Sequence, residues 1–219
     1  MKASVKSILN TFLLAVGAGL CIGVGGSVSL LQSNTLVGAI FFTVGLFTIL
    51  IFGFNLYTGM VGYLGDRLLE KKPSYLGTVA CVWLGNFAGT AIVASVLRLT
   101  RNGDRLRLAA QRVMEVKLND TWYSLLILGV FCGMMMFLAV DTYKKRHKDF
   151  LLLACIAVIL GVVVFILAGF EHSIADMFYA VLAGKTREAI VPILLITLGN
   201  AIGGNLIPMI LRVTKTEKQ

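Results

Sequence analysis

The chain has 219 residues, of which 58% are hydrophobic and only 14% are charged, with a mean hydropathy of +0.87. A soluble domain of this size carries about 25% charged residues, so most of the surface must face lipid and an ordinary soluble protein is excluded. The net charge of +9 comes from basic residues between and beyond the apolar runs, which indicates lipid headgroups and membrane topology and excludes nucleic-acid binding.

Six apolar stretches are long enough to cross a bilayer, which takes roughly 20 mainly apolar residues. In chain order they cover about residues 7–31, 36–65, 75–99, 119–140, 150–183 and 186–212. The first stretch follows two lysines, as in a signal peptide, but it continues to Leu31 without a clear cleavage site and is predicted to be the first span. We predict an all-α protein with a single transmembrane transport domain over residues 1–219.

Two pairs of signatures recur in the two halves of the chain. Residues 53–58 (GFNLYT) and 84–89 (LGNFAG) are matched in order and nearly in spacing by residues 169–173 (GFEHS) and 198–203 (LGNAIG). Each copy places polar residues inside an apolar run, which is typical of interrupted transmembrane helices in transport proteins. We therefore predict that the second and fifth helices are broken and that the breaks face a pore.

The distribution of basic residues predicts the topology. Six spans place both termini on one side of the membrane, where Lys and Arg number 12, against 8 on the other side. The positive-inside rule then predicts a multi-pass protein of the inner (plasma) membrane with both termini in the cytoplasm. Because each repeat, about 1–100 and about 117–212, holds three spans, the second repeat must be inverted relative to the first, with a site near the midplane.

The sequence offers little for catalysis or for a metal. The four cysteines lie within apolar runs and lack metal-ligand spacing, so we predict free thiols, no metal and no cofactor. A membrane enzyme would need a nucleophile with its base, a carboxylate pair or a metal cluster. The chain has a single histidine within a span, and we predict that it is not an enzyme.

His172 is the strongest candidate for a functional residue, because an ionisable side chain inside a transmembrane span is first interpreted as part of a functional site. The alternative is a neutral histidine that is hydrogen-bonded between helices. Thr58 occupies the matching break in the first half, where its hydroxyl can bind the histidine or cap the following half-helix. Lys117, at the mouth of the fourth span, can draw anions inward or extend to the interface, and the sequence favours neither.

Four further residues are interpreted as supports of the breaks: Asn55, Glu171, Ser173 and Asp176. Ser173 and Asp176 fit a capping box at the start of the second half-helix, which favours a cap over a proton relay for Asp176. Glu171 is expected to accept free backbone N–H groups of its break. Two half-helix N-termini aimed at one central cavity would favour a small anion.

These motifs resemble those of the formate/nitrite transporter family. Residues 169–178 (GFEHSIADMF) are similar to its histidine motif, residues 56–59 (LYTG) to its second-span motif, and residues 84–86 and 198–204 to its third- and sixth-span motifs. The resemblance covers nearly the whole chain. It implies an aquaporin-like fold, a homopentamer with one pore per protomer, and a channel for formate, nitrite or hydrosulfide.

The resemblance also implies roles for individual residues. His172 matches the central pore histidine, Thr58 its partner, Lys117 the lysine near the outer vestibule and Asn200 a pore asparagine. The implied apolar constrictions consist of Phe42 and Phe165 on one side of the histidine, and of Leu46, Leu56 and Tyr57 on the other.

The chain departs from the family pattern in two places. Gly133 stands where formate-channel relatives usually carry an asparagine in the fourth span, so we expect a polar pore contact to be missing. The N-terminal amphipathic segment that is associated with gating in some relatives is mostly lacking, so acid gating by that segment is not expected.

The expected mechanism follows from the cost of burying an anion, which reaches tens of kcal/mol by Born estimates. Lys117 and the half-helix dipoles would concentrate the anion, and His172, oriented by Thr58, would share or donate a proton. Desolvation keeps the histidine of the empty pore neutral, whereas an arriving anion favours its protonation. Formate with protons is the expected cargo, nitrite and hydrosulfide are alternatives, and a pore for small neutral solutes is disfavoured because no Asn-Pro-Ala motif occurs.

Overall fold

The computed structural model describes residues 2–216, with side chains for residues 5–214, and every regular element in that range is a helix. In chain order the helices are α1 (Lys2–Leu30), α2 (Thr35–Phe52), α3 (Tyr57–Val61), α4 (Leu64–Leu69), α5 (Ser74–Leu97), α6 (Gly103–Leu118), α7 (Trp122–Arg146), α8 (Leu151–Leu167), α9 (Ser173–Ala183) and α10 (Ile190–Thr216). The predicted all-helical class is confirmed.

Five helices within the described residues are long and apolar enough to cross a membrane, namely α1, α2, α5, α7 and α10. Helices α8 and α9 are apolar but shorter, with 17 and 11 residues. The predicted second stretch covers α2, α3 and the first two residues of α4, and the predicted fifth stretch contains α8 and α9. The lengths of the five long helices agree with those that a multi-pass membrane protein needs.

Helix α6 was not among the predicted elements. Its sequence carries several arginines, and only one side of the helix is buried. Leu106, Ala110 and Met114 recur every four residues and are buried, while Arg112 is exposed. This spacing is the signal of an amphipathic helix, but a search for transmembrane stretches does not detect it.

Two pairs of helices, α1 with α5 and α7 with α10, approach closely through glycines. A Cβ added at Gly19 of α1 would lie 2.9 Å from the Cα of Gly89, and a Cβ added at Gly129 of α7 would lie 3.2 Å from the Cα of Gly199. Small residues allow two helix backbones to come into contact. The dispersion energy of this contact stabilises the helix pair, because the hydrophobic effect does not drive helices together within lipid. Each half of the chain thus packs its first long helix against its last.

We expect Gly133→Ala to destabilise this packing. A Cβ at Gly133 would lie 2.7 Å from the Cα of Asn200 in α10, and overpacking of this kind costs about 1–3 kcal/mol of unfolding free energy. Thermal unfolding of the detergent-solubilised protein measures the loss. The control is Gly77→Ala on α5, where, among the described residues, no atom beyond the neighbouring backbone of α5 lies within 4 Å of the new Cβ. Equal unfolding temperatures for the two variants would contradict the packing argument.

Candidate functional site

Helices α2 and α8 both end inside an apolar stretch, and a glycine with a left-handed backbone follows within two residues of each end. Gly53 has φ 68° and Gly169 has φ 67°, a conformation that glycine adopts without a steric penalty. In each case the next residue donates its backbone N–H back into the helix, from Phe54 to Ile49 O and from Phe170 to Phe165 O, both at 2.9 Å. Residues 53–56 and 168–172 are therefore non-helical and precede α3 and α9.

Asn86 of α5 holds the first of these segments. Its Oδ1 accepts the backbone N–H of Tyr57 at 2.8 Å, and its Nδ2 donates to the carbonyls of Asn55 at 2.9 Å and Ala15 at 2.8 Å. Asn86 is fully buried, so its amide satisfies backbone groups that would otherwise lack partners. Asn55 adds a bond of its own, from Nδ2 to Thr11 O at 3.3 Å.

Asn200 of α10 makes the corresponding bonds to the second segment. Its Oδ1 accepts the N–H of Ser173 at 3.0 Å, and its Nδ2 donates to the carbonyls of Glu171 at 2.8 Å and Gly129 at 2.9 Å. Asn200 is also fully buried. Its amide is engaged by backbone atoms, which differs from the expectation of a substrate contact. Asn86 was missing from the sequence-predicted supports, although the repeated Leu-Gly-Asn pointed to it.

His172 is the N-cap of α9. Its Nδ1 accepts the backbone N–H of Ala175 at 3.1 Å, and its Nε2 lies 3.0 Å from Oγ1 of Thr58. Because an N–H donor occupies Nδ1, a neutral ring carries its hydrogen on Nε2 and donates it to Thr58. The Phe165 ring stacks on the imidazole with 5.6 Å between centroids. His172 is 2% exposed.

Thr58 joins the two halves of the chain through this hydrogen bond. It lies in α3, whose N-cap is Leu56 without a side-chain bond, so its hydroxyl does not cap that helix. Thr58 is fully buried, and 114 residues separate it from His172 in sequence. The structure therefore brings together the two residues that the sequence singled out in the matching breaks.

The predicted capping box at the start of α9 is wrong. His172 supplies the cap, and Ser173 Oγ has no hydrogen-bond partner among the described residues. Asp176 instead binds Lys117, with 3.0 Å between Nζ and Oδ1. Glu171 also binds Lys117 through Oε2. Lys117 is 9% exposed and neither extends to the interface nor stands free.

Two cavities lie on either side of the Thr58–His172 contact. The α9 cavity, of about 420 Å³, is lined by residues that include Phe165, Glu171, His172, Asp176, Lys117 and Arg112. The α3 cavity, of about 500 Å³, is lined by residues that include Asn55, Leu56, Gly59, Tyr75, Lys144 and His147. Thr58 lines neither cavity. Its hydrogen bond links a segment beside one cavity to a segment beside the other.

The five residues implied as apolar constrictions are all buried: Phe42, Leu46, Leu56, Tyr57 and Phe165. Phe42 and Phe165 meet edge to face with ring centroids 5.8 Å apart. The Tyr57 hydroxyl donates to Thr197 O at 3.0 Å. The α9 cavity includes Phe165, and the α3 cavity includes Leu56.

Gly133 faces the backbone of α10 and lines neither of these two cavities. An asparagine at this position would collide with Asn200. The expected loss of a polar pore contact therefore has no basis at position 133 of this structure, where glycine serves helix packing.

Residues 1–214 match the family model described as "Formate/nitrite transporter". Among curated proteins, the formate channel FocA of Haemophilus influenzae is 28% identical over 156 residues, which cover 65% of this chain and 52% of that protein. The formate channel FocA of Escherichia coli K12 is 29% identical over 195 residues, which cover 79% of this chain and 66% of that protein. This chain thus spans about half to two thirds of the length of these relatives.

Solved structures have the same fold. A pentameric formate channel with formate bound superposes with a TM-score of 0.78 at 24% identity, covering 96% of this chain and 98% of that one. An FNT family ion channel superposes with a TM-score of 0.77 at 22% identity, covering 93% and 89%. The helices described above are therefore arranged as in channels of this type.

Proposed function

This chain belongs to the formate/nitrite transporter family, and we propose that it is a transmembrane channel for small monovalent anions of weak acids, with formate as its substrate. The observation that carries the proposal is the buried Thr58–His172 hydrogen bond between two cavities. The named relatives are formate channels, which supports transport and not catalysis. Nitrite and hydrosulfide are the alternative cargoes, because the same chemistry serves small anions of weak acids.

The proposed membrane architecture has six spans in two inverted repeats, as in aquaporins. The spans are α1, α2 to α4, α5, α7, α8 with α9, and α10. The matching bonds of Asn86 and Asn200 to the two breaks support the repeat. We propose that both termini lie in the cytoplasm of the inner membrane, that the α9 cavity opens to the outer side, and that five copies assemble with one pore each.

The proposed path runs from the α9 cavity, past His172 and Thr58, to the α3 cavity. The Phe42–Phe165 contact closes it on the outer side of the histidine, and Leu46, Leu56 and Tyr57 close it on the inner side. The burial of these side chains supports an apolar barrier. A bare anion would lose its hydration there without compensation.

His172 reduces that cost by sharing a proton. The neutral ring donates Nε2–H to Thr58, and the hydroxyl still has its own hydrogen to donate to an anion oxygen. Outright release of the Nε2 proton needs a second proton on Nδ1, which would displace the bond from Ala175 N–H. His172 therefore gains that second proton only when an anion compensates for the charge. The anion and the proton that cross the barrier together then carry almost no net charge.

We expect Thr58→Val to slow formate flux by about tenfold, which corresponds to about 1.4 kcal/mol in the barrier. Valine has nearly the same shape but leaves Nε2–H of His172 buried without an acceptor. Stopped-flow uptake into proteoliposomes measures the effect. The control is Thr90→Val, because among the described residues the hydroxyl of buried Thr90 binds only Phe87 O of its own helix. If both variants transport at the wild-type rate, Thr58 has no part in the path.

The function is tested by measuring uptake of formate, nitrite, hydrosulfide and chloride into proteoliposomes at equal gradients. The proposal predicts rapid formate uptake and slow uptake of chloride, whose conjugate acid is too strong to hold a shared proton. Faster nitrite or hydrosulfide uptake would change the substrate within the same mechanism. Chloride flux equal to formate flux would contradict the mechanism, and rapid glycerol flux with no anion flux would favour a neutral-solute pore.

A further inference from the structure

The α9 cavity contains a buried cluster of three ionisable groups from different parts of the chain. Lys117 comes from α6, Glu171 from the break before α9, and Asp176 from α9 itself. Lys117 Nζ contacts Glu171 Oε2 and lies 3.0 Å from Asp176 Oδ1. One positive charge thus faces two carboxyl groups. If both carboxyls were ionised, this buried cluster would carry a net negative charge.

The contacts distinguish the two carboxyl groups. Asp176 Oδ2 has no hydrogen-bond partner among the described residues, and Asp176 is 1% exposed. An ionised oxygen in such a place is costly because no protein donor compensates its charge. A proton on Oδ2 removes the negative charge and leaves Lys117 and Glu171 as a balanced ion pair. Asp176 is therefore the carboxyl group that is placed to hold a proton.

The other groups near Asp176 do not supply a second buried positive charge that would balance an ionised Asp176. The Cys132 thiol of α7 and the Tyr179 hydroxyl of α9 are within electrostatic range of Asp176, and both are uncharged in their ordinary protonated forms. His172 donates towards Thr58. Arg112 of α6 is exposed at the cavity. Helices α1, α5 and α10 also pack against α9, and among their described residues none places a charged side chain in this cavity.

We propose that Asp176 is a proton-binding residue that controls anion entry into the α9 cavity. When Asp176 is protonated, the cluster is neutral and an anion reaches His172. When it is ionised, the cluster repels the anion. The proton stays on Asp176 during entry, so no bond of the substrate changes. This inference rests on the proposed anion-channel function and adds to it a site that sets the pH range in which the channel conducts.

The test compares formate uptake in mildly acid and mildly alkaline buffer, with the same pH on both sides of the proteoliposome membrane. We expect wild-type uptake to be roughly tenfold faster in acid, the size that one unit charge about 10 Å away produces at an effective dielectric constant near 20. Asp176→Asn has nearly the same shape and is permanently neutral, so its alkaline uptake should rise towards the acid rate. Asp104→Asn, at an exposed position of α6, should keep the wild-type ratio.

Two results would overturn the proposal. Asp176→Asn could keep the wild-type ratio between acid and alkaline uptake, or it could lose uptake equally in both buffers, as a purely structural residue would. Infrared difference spectroscopy of the formate-free protein gives a second readout that does not need transport. A protonated carboxyl signal should form on acidification of the wild type and be absent in Asp176→Asn and in Glu171→Gln, where Lys117 keeps Asp176 ionised.

These readouts separate the inference from the function on which it rests. If wild-type protein transports no anion, the proposed function fails, while the infrared signal still decides whether Asp176 binds a proton. If wild-type protein transports formate at the same rate in both buffers, the function stands and the inference fails.

Discussion

Replacement of His172 by asparagine is expected to reduce formate flux by at least about tenfold and to abolish proton movement with formate. The reason is that the imidazole is the group that shares a proton at the apolar barrier, and every 1.4 kcal/mol of lost compensation slows flux tenfold. Asparagine suits the experiment because it is a favoured N-cap residue. Its oxygen can still accept the N–H of Ala175, which His172 Nδ1 accepts in the wild type.

The measurement is formate uptake together with the internal pH of the proteoliposomes. An unchanged unfolding temperature would show that the cap survives in His172→Asn. His172→Phe, which loses both the cap and the proton, should be less stable as well as slow. If His172→Asn retained the wild-type flux and the wild-type ratio of protons to formate, proton sharing at this residue would be ruled out.

Replacement of Asn200 by alanine is expected to lower the free energy of unfolding by about 3–5 kcal/mol, a large effect for one residue. The substitution leaves the N–H of Ser173 and the carbonyls of Glu171 and Gly129 without this partner. Each unsatisfied buried group costs about 1–3 kcal/mol. Asn86→Ala should have a similar effect, because Asn86 makes the equivalent three bonds in the first half.

Thermal unfolding of the purified protein measures both losses. The matched control is Asn119→Ala, since within the described part of the chain the Asn119 side chain binds only Glu115 O, at an exposed position. If Asn200→Ala unfolded at the same temperature as Asn119→Ala, the network would not stabilise the break. If Asn200→Ala were as stable as wild type but altered anion selectivity, Asn200 would contact the substrate, as the family resemblance implies.

The internal repeat made much of the fold predictable from the sequence. The left-handed glycines at 53 and 169 mark the ends of α2 and α8, and both were visible as repeated Gly-Phe pairs in apolar runs. The positions of Thr58 and His172 in the matching segments were visible for the same reason. Their hydrogen bond was expected only as one possibility. The sequence does not show whether a hydroxyl binds a local partner or a partner that is distant in sequence.

The remaining features depend on contacts that a linear pattern does not encode. Ser173 and Asp176 have the spacing of a capping box. In the structure, however, the imidazole of His172 accepts the N–H of Ala175, and the Asp176 carboxyl group binds Lys117. The lysine was predicted at a vestibule or an interface, and helix α6 places it against α9, where it lines the α9 cavity. Because α6 is amphipathic and not continuously apolar, the search for spans missed the element that forms this ion-pair cluster.

The most direct test of the account is whether formate crosses with net charge. Wild-type proteoliposomes are given a formate gradient and a potassium diffusion potential of either sign, while formate uptake and internal pH are recorded, with protein-free liposomes as the background. Proton sharing at His172 predicts that uptake is the same at both potentials and that one proton enters with each formate. Uptake that follows the potential, without internal acidification, would mean that the bare anion crosses and that proton sharing at His172 is wrong.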